Sequence, residues 1–176
     1  MSEVVTVVGG GLAGSECALQ LARRGLGVRL CEQRPTKASP AHHGALLAEL
    51  VCSNSLKSTK PDSAAGLLKW ELGLMGSELL EVARACAVPA GGALAVDRDR
   101  FSAAVTERVE SSPLIEVVRE EVTSIPEGPC VIAAGPLCSD ALFSAIAERV
   151  GGERMSFYDA AAPIVDADSL DRSVVF

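Results

Sequence analysis

Two short stretches hold residue types able to do chemistry. In "GGGLAG", Gly9, Gly11 and Gly14 follow the spacing Gly-x-Gly-x-x-Gly. In "AELVCSNSLKS", residues 48–58, Cys52 leaves an apolar run and opens onto Ser53, Asn54 and Ser55. Glycines at the first spacing serve a tight turn, a close approach of backbone to a pyrophosphate, and close contact between helix and strand. A cysteine with polar neighbours has three readings: a packed thiol, a metal ligand or a nucleophile. The metal reading is the weakest, because the chain has no C-x-x-C pair and this loop has no second cysteine or histidine at ligand spacing. A nucleophile would be favoured by exposed N–H groups, if Ser53 or Asn54 caps a turn or helix, and by Lys57 if it folds back.

The elements that must position these residues are legible nearby. "VVTVV" (4–8) is a β-branched run of the kind buried on both faces of a sheet. The glycines follow, and then "LAGSECALQLARRG" places Ala13, Cys17, Ala18, Leu21 and Ala22 on one helical face and closes with Arg23, Arg24 and Gly25. Leu12 and Ala13 open that helix, whose N-terminus supplies free N–H groups and the positive end of a dipole to phosphates. "GVRLCE" (27–32) is a second strand, and Glu32 at its end is placed to accept hydrogen bonds from an adenosine ribose and to repel a 2′-phosphate. The opening is therefore a βαβ unit with a dinucleotide fingerprint.

Residues 33–47 read as a loop containing His42 and His43, with a short helix expected over 44–51. A helix after Asp62–Ser63 is open to bending or splitting at Gly73 and Gly76. "VPAGGALAV" reads as a turn-rich connector, and Asp97 as the cap of a helix whose apolar face is Phe101, Val105 and Val109. "LIEVVRE" (114–120), "VTSI" (122–125) and "CVIAAG" (130–135) read as strands, and Ser139 or Asp140 starts a last helix. The tail from "MSFYDAAAPIV" reads as extended, and the ending at "SVVF" breaks off in mid-pattern. Strands alternating with helices predict an α/β doubly wound sheet, with residues 1–176 as one domain at the front of a longer protein.

Composition narrows the function classes. Of the 176 residues 48% are hydrophobic but only 3% aromatic, so the core must be built from Ala, Val and Leu. A net charge of −7 opposes unaided binding to a polyanion. No apolar run approaches the length of a membrane span, and the acid-bearing, base-free N-terminus is not that of a signal peptide. A cytoplasmic protein with its six cysteines reduced is expected, with no membrane association and no metal. Cys17, Cys31 and Cys130 fall in apolar periodic segments and are expected in the core, while Cys86 and Cys138 are left open.

The fingerprint close to the N-terminus, Glu32-x-Arg34 after the second strand, and "VIAAGP" ending a buried strand at Gly135 together resemble flavoproteins of the glutathione-reductase type. That resemblance implies a Rossmann-like FAD-binding domain. Longer stretches sharpen it: "GGGLAGSE", "EQRP", "PAHH", "AELVCSNSLKS", "PAGGALAVDRDRF", "EEVTSIPEGP" and "FYDAAAPIV" occur in that order. Together they resemble the folate- and FAD-dependent tRNA (uracil-5-)-methyltransferase family, TrmFO, over nearly the whole chain. The larger GidA-type tRNA-modifying flavoproteins share the front fingerprint, and the Cys52 stretch and "PAGGALAVDR" favour TrmFO over them.

The resemblance implies transfer of a one-carbon unit from methylenetetrahydrofolate to C5 of a uridine in the tRNA T-loop, with flavin as mediator and NAD(P)H as reductant. A branch of the family acts on ribosomal RNA. The resemblance makes Cys52 the nucleophile, its thiolate adding to uracil C6 so that C5 becomes nucleophilic. It places Arg98 near the flavin and the backbone of Val122 near the adenine, counts Arg34 among the cofactor contacts, and leaves Tyr158 and Asp159 in a family motif without an assigned role. His42 and His43 read equally as solvated loop histidines or as contacts to flavin or folate. Family members are much longer, and their second half carries further flavin, folate and RNA sites, including another functional cysteine. This chain by itself is thus expected to be inactive. The alternatives are a non-catalytic FAD-binding module and another FAD-dependent tRNA-modifying enzyme of the GidA type.

Overall fold

The structure, a computed structural model, describes residues 4–39, 41–151, 170–171 and 173. Tyr158, Asp159 and the expected extended tail lie outside the described residues. The core of the fold is a four-stranded parallel sheet in the order β6–β2–β1–β7, formed by Ile115–Val118, Gly27–Cys31, Val4–Val8 and Cys130–Ile132. The strand order runs outward from β1 through β2 to β6 and then returns to the other side of β1. That reversal is the switch point of a doubly wound sheet, where ligands bind at the carboxyl ends of the strands.

Alternation within the strands decides which face is dry. Val7, Val28, Leu30 and Ile115 are buried in one apolar core with Ala18 and Leu19 of α1 (Leu12–Arg23). The opposite face shows Arg29 and Glu116 to solvent. Helices α3 (Glu78–Ala85) and α4 (Arg98–Glu110) pack with α1 and complete the core through Leu80, Val82, Phe101, Val105 and Val109. Phe101 is the one aromatic among the described core residues, and small aliphatic side chains make up the rest. Glu16 of α1 accepts from the amides of Glu78 and Leu79 and from Ser77 Oγ, so one carboxylate both caps α3 and ties it to α1.

Helix starts follow the expected caps: Ser63 accepts from Gly66 N, Asp97 from Arg100 N, and Ser139 from Leu142 N. The helical stretch after Ser63 is split at Gly76 into α2 (Ala64–Leu74) and α3. Helix α5 (Asp140–Val150) follows β7. Cys31 and Cys86 are buried, whereas Cys17, Cys130 and Cys138 are half-buried.

Three local expectations are corrected. Residues 44–51 form turns instead of a helix, because their backbone groups bond elsewhere: Ala48 N donates to Gly10 O at 2.9 Å and Leu47 N to Thr106 Oγ1 at 2.9 Å. Ala48 also has φ +51°, outside the right-handed helical region. Residues 122–125 make no strand: β6, the strand before them, ends at Val118, where its pairing with β2 stops at Cys31. The expected connector "VPAGGALAV" begins at the end of β4 (Ala87–Val88) and contains β5 (Ala93–Val96), and the two form a three-stranded antiparallel sheet with β3 (Ser55–Ser58) in the order β3–β5–β4. β3 pairs with β5 only between residues far apart in sequence, so no local pattern announces it.

Helix α1 reaches the end of β1 because Gly14 has no side chain: a Cβ there would overlap Gly9 O and touch the side chain of Ala133. Gly14→Ala should lower stability by about 1–3 kcal/mol, the cost of overpacking a tight contact, while Gly11→Ala, whose Cβ would meet open space, should lower the urea midpoint less, since it gives up only N-cap preference. Equal midpoints for the two variants would show that the helix–strand contact is not tight.

Candidate functional site

The carboxyl ends of β1, β2 and β7 open onto a cavity of about 360 Å³. Its floor is the glycine turn. Gly9 takes φ +102°, and a Cβ there would lie 2.7 Å from Ala133 O, so the turn can only be made by glycine. Gly11 is the N-cap of α1, and no side chain caps the helix. The first-turn N–H groups of α1 are therefore free of a side-chain acceptor, and nothing blocks the space in front of Gly11. That arrangement suits a pyrophosphate, which needs donors, a positive dipole end and room to reach the backbone.

The adjoining wall is ionic. Glu32 is buried, and its carboxylate accepts from Gly10 N at 2.9 Å, Arg34 N at 3.0 Å and Arg34 Nε at 2.9 Å. Arg34, also buried, donates through Nη1 to Glu49 Oε2 at 2.8 Å and to Gly44 O at 3.2 Å. Glu49 in turn accepts from His43 N at 2.9 Å and Gly44 N at 3.2 Å. Burial pushes the Glu32 carboxyl up, but the hydrogen bonds and charge of Arg34 and the Gly10 amide outweigh it, and the group ends below the ordinary glutamate range. Glu49 follows the same pattern, with burial opposed by the His43 and Gly44 amides and by Arg34. His42 is held toward its neutral form by burial and by the Arg34 charge, and its Nδ1 lies 2.6 Å from Ser39 Oγ.

The third wall carries Cys52. Its loop is fixed from behind: Asn54 Nδ2 donates to Val96 O at 3.1 Å, and Val96 N returns a bond to Asn54 O at 2.9 Å, clamping the loop to β5. Ser53 Oγ accepts from Ser55 N at 3.1 Å and so caps a turn. Cys52 itself is exposed and faces the cavity with Val51. Lys57 is exposed in β3 and is not among the lining residues. Cys31 and Cys138 share the cavity, but burial pushes both thiols up, toward the unreactive protonated form.

Of the residues singled out from the sequence, Gly9, Gly11, Leu12, Ala13 and Glu32 line this cavity, as do Arg34, Val122, Gly135 and Cys52. Gly14 lies behind the glycine turn and acts through packing. Arg98 is exposed in the first turn of α4 and does not line the cavity. His42 lines it, whereas His43 is exposed and contributes its amide to Glu49. Sequence reasoning missed Glu49 and Glu120. Glu49 had a signal, being an acid within the Cys52 motif with an arginine, Arg34, in the preceding loop. Among the described residues no group of three or more His, Cys, Asp or Glu is gathered as a metal site, and no helix is long and apolar enough to cross a membrane.

A parallel sheet with a dinucleotide cradle is common to many enzymes, and relatives decide among them. The family model described as glucose inhibited division protein A matches residues 4–176. The chain belongs to the glucose inhibited division protein A family. Within it, the chain is similar to the protein of Bacillus licheniformis named methylenetetrahydrofolate–tRNA-(uracil-5-)-methyltransferase TrmFO, at 54% identity over all of this chain and 41% of the relative. A protein of the same name from Rubrobacter xylanophilus is 61% identical over 98% of this chain and 38% of the relative. The chain thus spans about 40% of the length of these curated relatives. Among solved structures, GidA of Aquifex aeolicus superposes with a TM-score of 0.56 at 19% identity, over 72% of this chain and 21% of that one. This likeness establishes the shared fold. The TrmFO resemblance read from the Cys52 stretch agrees with the names of the relatives at high identity.

In this family member the ionic wall makes stability depend on acid pH. Glu32 and Glu49 ionise more readily folded than unfolded, so their contribution is complete above the unfolded glutamate value of about 4.3 and is lost as pH falls through their lower folded values. The urea midpoint of wild type should fall over that acid window, and that of Glu49→Gln should fall less. Equal acid slopes would remove Glu49 from the linkage. Exposure also ranks the cavity thiols: iodoacetamide should label Cys52 before Cys31 and Cys138, as read by peptide mass spectrometry.

Proposed function

We propose that this chain is the cofactor-binding front part of an FAD- and methylenetetrahydrofolate-dependent enzyme that methylates C5 of uridine in tRNA, with NAD(P)H as reductant. The observation that carries the reading is the single cavity joining the glycine turn and Glu32 to the exposed thiol of Cys52. The names of relatives at 54% and 61% identity support it. Glu32 would take the ribose hydroxyls of the AMP half, and the open N-terminus of α1 the pyrophosphate. Val122 and Gly135, on the cavity wall, would let backbone run close to the cofactor. FAD, when bound, supplies reducing equivalents drawn from NAD(P)H.

The part left to this chain's own side chains is activation of the uracil. Cys52, as thiolate, would add to C6 and make C5 nucleophilic toward the one-carbon carrier. Neutral His42, which lines the same cavity, adds no positive charge, and the Cys31 and Cys138 thiols, kept protonated, would not compete for the ring. The net charge of −7 supports a reading in which this chain does not itself supply the basic RNA-binding surface. A tRNA substrate supports a cytoplasmic location for the enzyme.

The test is made on the full-length protein. Purified enzyme should carry FAD and move labelled carbon from methylenetetrahydrofolate into 5-methyluridine. Cys52→Ala should abolish that transfer while leaving flavin content and melting temperature near wild type. Glu32→Gln should instead weaken FAD binding by about 1–3 kcal/mol, the usual cost of an unpaired buried polar group. Methylation supported by S-adenosylmethionine alone, or near-normal turnover in a flavin-replete Cys52→Ala enzyme, would overturn the proposal. A flavin-bearing protein that modifies tRNA without forming 5-methyluridine would point to the GidA-type reaction.

A further inference from the structure

Glu49 has no part in the chemistry described so far, yet it ends an unbroken chain of short polar contacts. Gly10 N, in the phosphate turn, donates to Glu32, Glu32 is paired with Arg34 at 2.9 Å, Arg34 is paired with Glu49 at 2.8 Å, and Glu49 holds the amides of His43 and Gly44. The Arg34 and Glu32 side chains are 5% and 7% exposed and that of Glu49 17%, so water screens this chain little. The segment it ends on also lines the cavity: His42 adjoins His43, and Cys52 lies three residues beyond Glu49.

We propose that Glu49 is a positioning residue, and that Arg34, shared between two carboxylates, couples occupation of the ribose acid to the hold on the segment carrying His42 and Cys52. One guanidinium faces two anions, and what it gives to one it withdraws from the other. When a ribose hydroxyl donates to Glu32, that carboxylate has less charge left for Arg34. The guanidinium then binds Glu49 more tightly, and Glu49 is held more firmly against the amides of His43 and Gly44. The FAD half that never reacts thus sets the wall that does. The inference rests on the dinucleotide reading of the cavity for its trigger, but the chain of contacts exists without any ligand.

The experiment is hydrogen–deuterium exchange on the full-length protein, followed by mass spectrometry of peptides covering residues 42–46. In cofactor-free protein, Glu32→Gln should slow exchange at His43 and Gly44 about threefold or more, because neutralising one carboxylate releases Arg34 to the other. A residue with a merely structural role would give faster exchange when its neighbour is weakened. Adding FAD to wild type should slow the same amides by a similar factor, should have no such effect in Glu49→Gln, and should have a smaller effect in Glu49→Asp, which keeps the charge on a shorter side chain. The wild-type titration needs no variant to fold. Unchanged or faster exchange in Glu32→Gln, or FAD protection that persists in Glu49→Gln, would overturn the inference. If wild type takes up no FAD, the cofactor reading fails, and the Glu32→Gln comparison still decides this one.

Discussion

The site depends on one close approach: the N-terminal turn of α1 lies against the end of β1, with Gly14 at the oxygen of Gly9. A helix with any side chain at that point would stand off the strand, and its free N–H groups would no longer face the cleft between β1 and β7. The same turn anchors what lies around it. Gly9 N bonds to Cys31 O, Gly10 N to the Glu32 carboxylate, and Gly10 O accepts from Ala48 N. Strand β2 and the loop that leads to Cys52 are thus registered on three consecutive peptide units of the glycine turn.

Around that contact the protein puts unlike materials side by side. The helix-bearing face of the sheet is closed with Val, Leu and Ala, and one aromatic suffices among the described core residues. One wall of the cleft is ionic, and its buried charges are admitted only because each is met by several partners. Glu32, Arg34 and Glu49 would be costly alone in such a place, and removing Arg34 would leave two carboxylates without their ion pair. A wall of this kind holds geometry better than an apolar one, since its bonds are directional. A loop that makes turns instead of a helix gains its order from that wall and from the core side chains Leu47, Ala48 and Leu50.

The small antiparallel sheet has a narrower task. β5 is its central strand, and through Val96 it grips Asn54, so that Cys52 is presented from a loop fixed at its back and open at its front. The exposed thiol and the two burial-suppressed thiols across the cavity show how position sorts chemically identical groups. Cys31 belongs to a buried strand, Cys138 is half-buried on the approach to α5, and Cys52 is the exposed one of the three.

The sequence by itself determined the parts whose physics is local. A β-branched run, three spaced glycines, a periodic helix with its terminal arginines and glycine, and an acid ending the next strand describe a dinucleotide-binding βαβ unit without reference to distant residues. The helix caps Ser63, Asp97 and Ser139 were legible for the same reason. What only the tertiary structure decided are pairings between distant segments. β3 exists because β5 lies beside it, residues 44–51 fail to make a helix because the glycine turn and α4 claim their amides, and Glu49 matters because Arg34 is folded against it. Arg98, placed near the flavin by resemblance, starts a helix whose first turn faces solvent instead of the cavity. A hydrogen bond or ion pair between remote residues leaves no periodicity in the chain, so its partners are named only once folding has brought them within 3 Å.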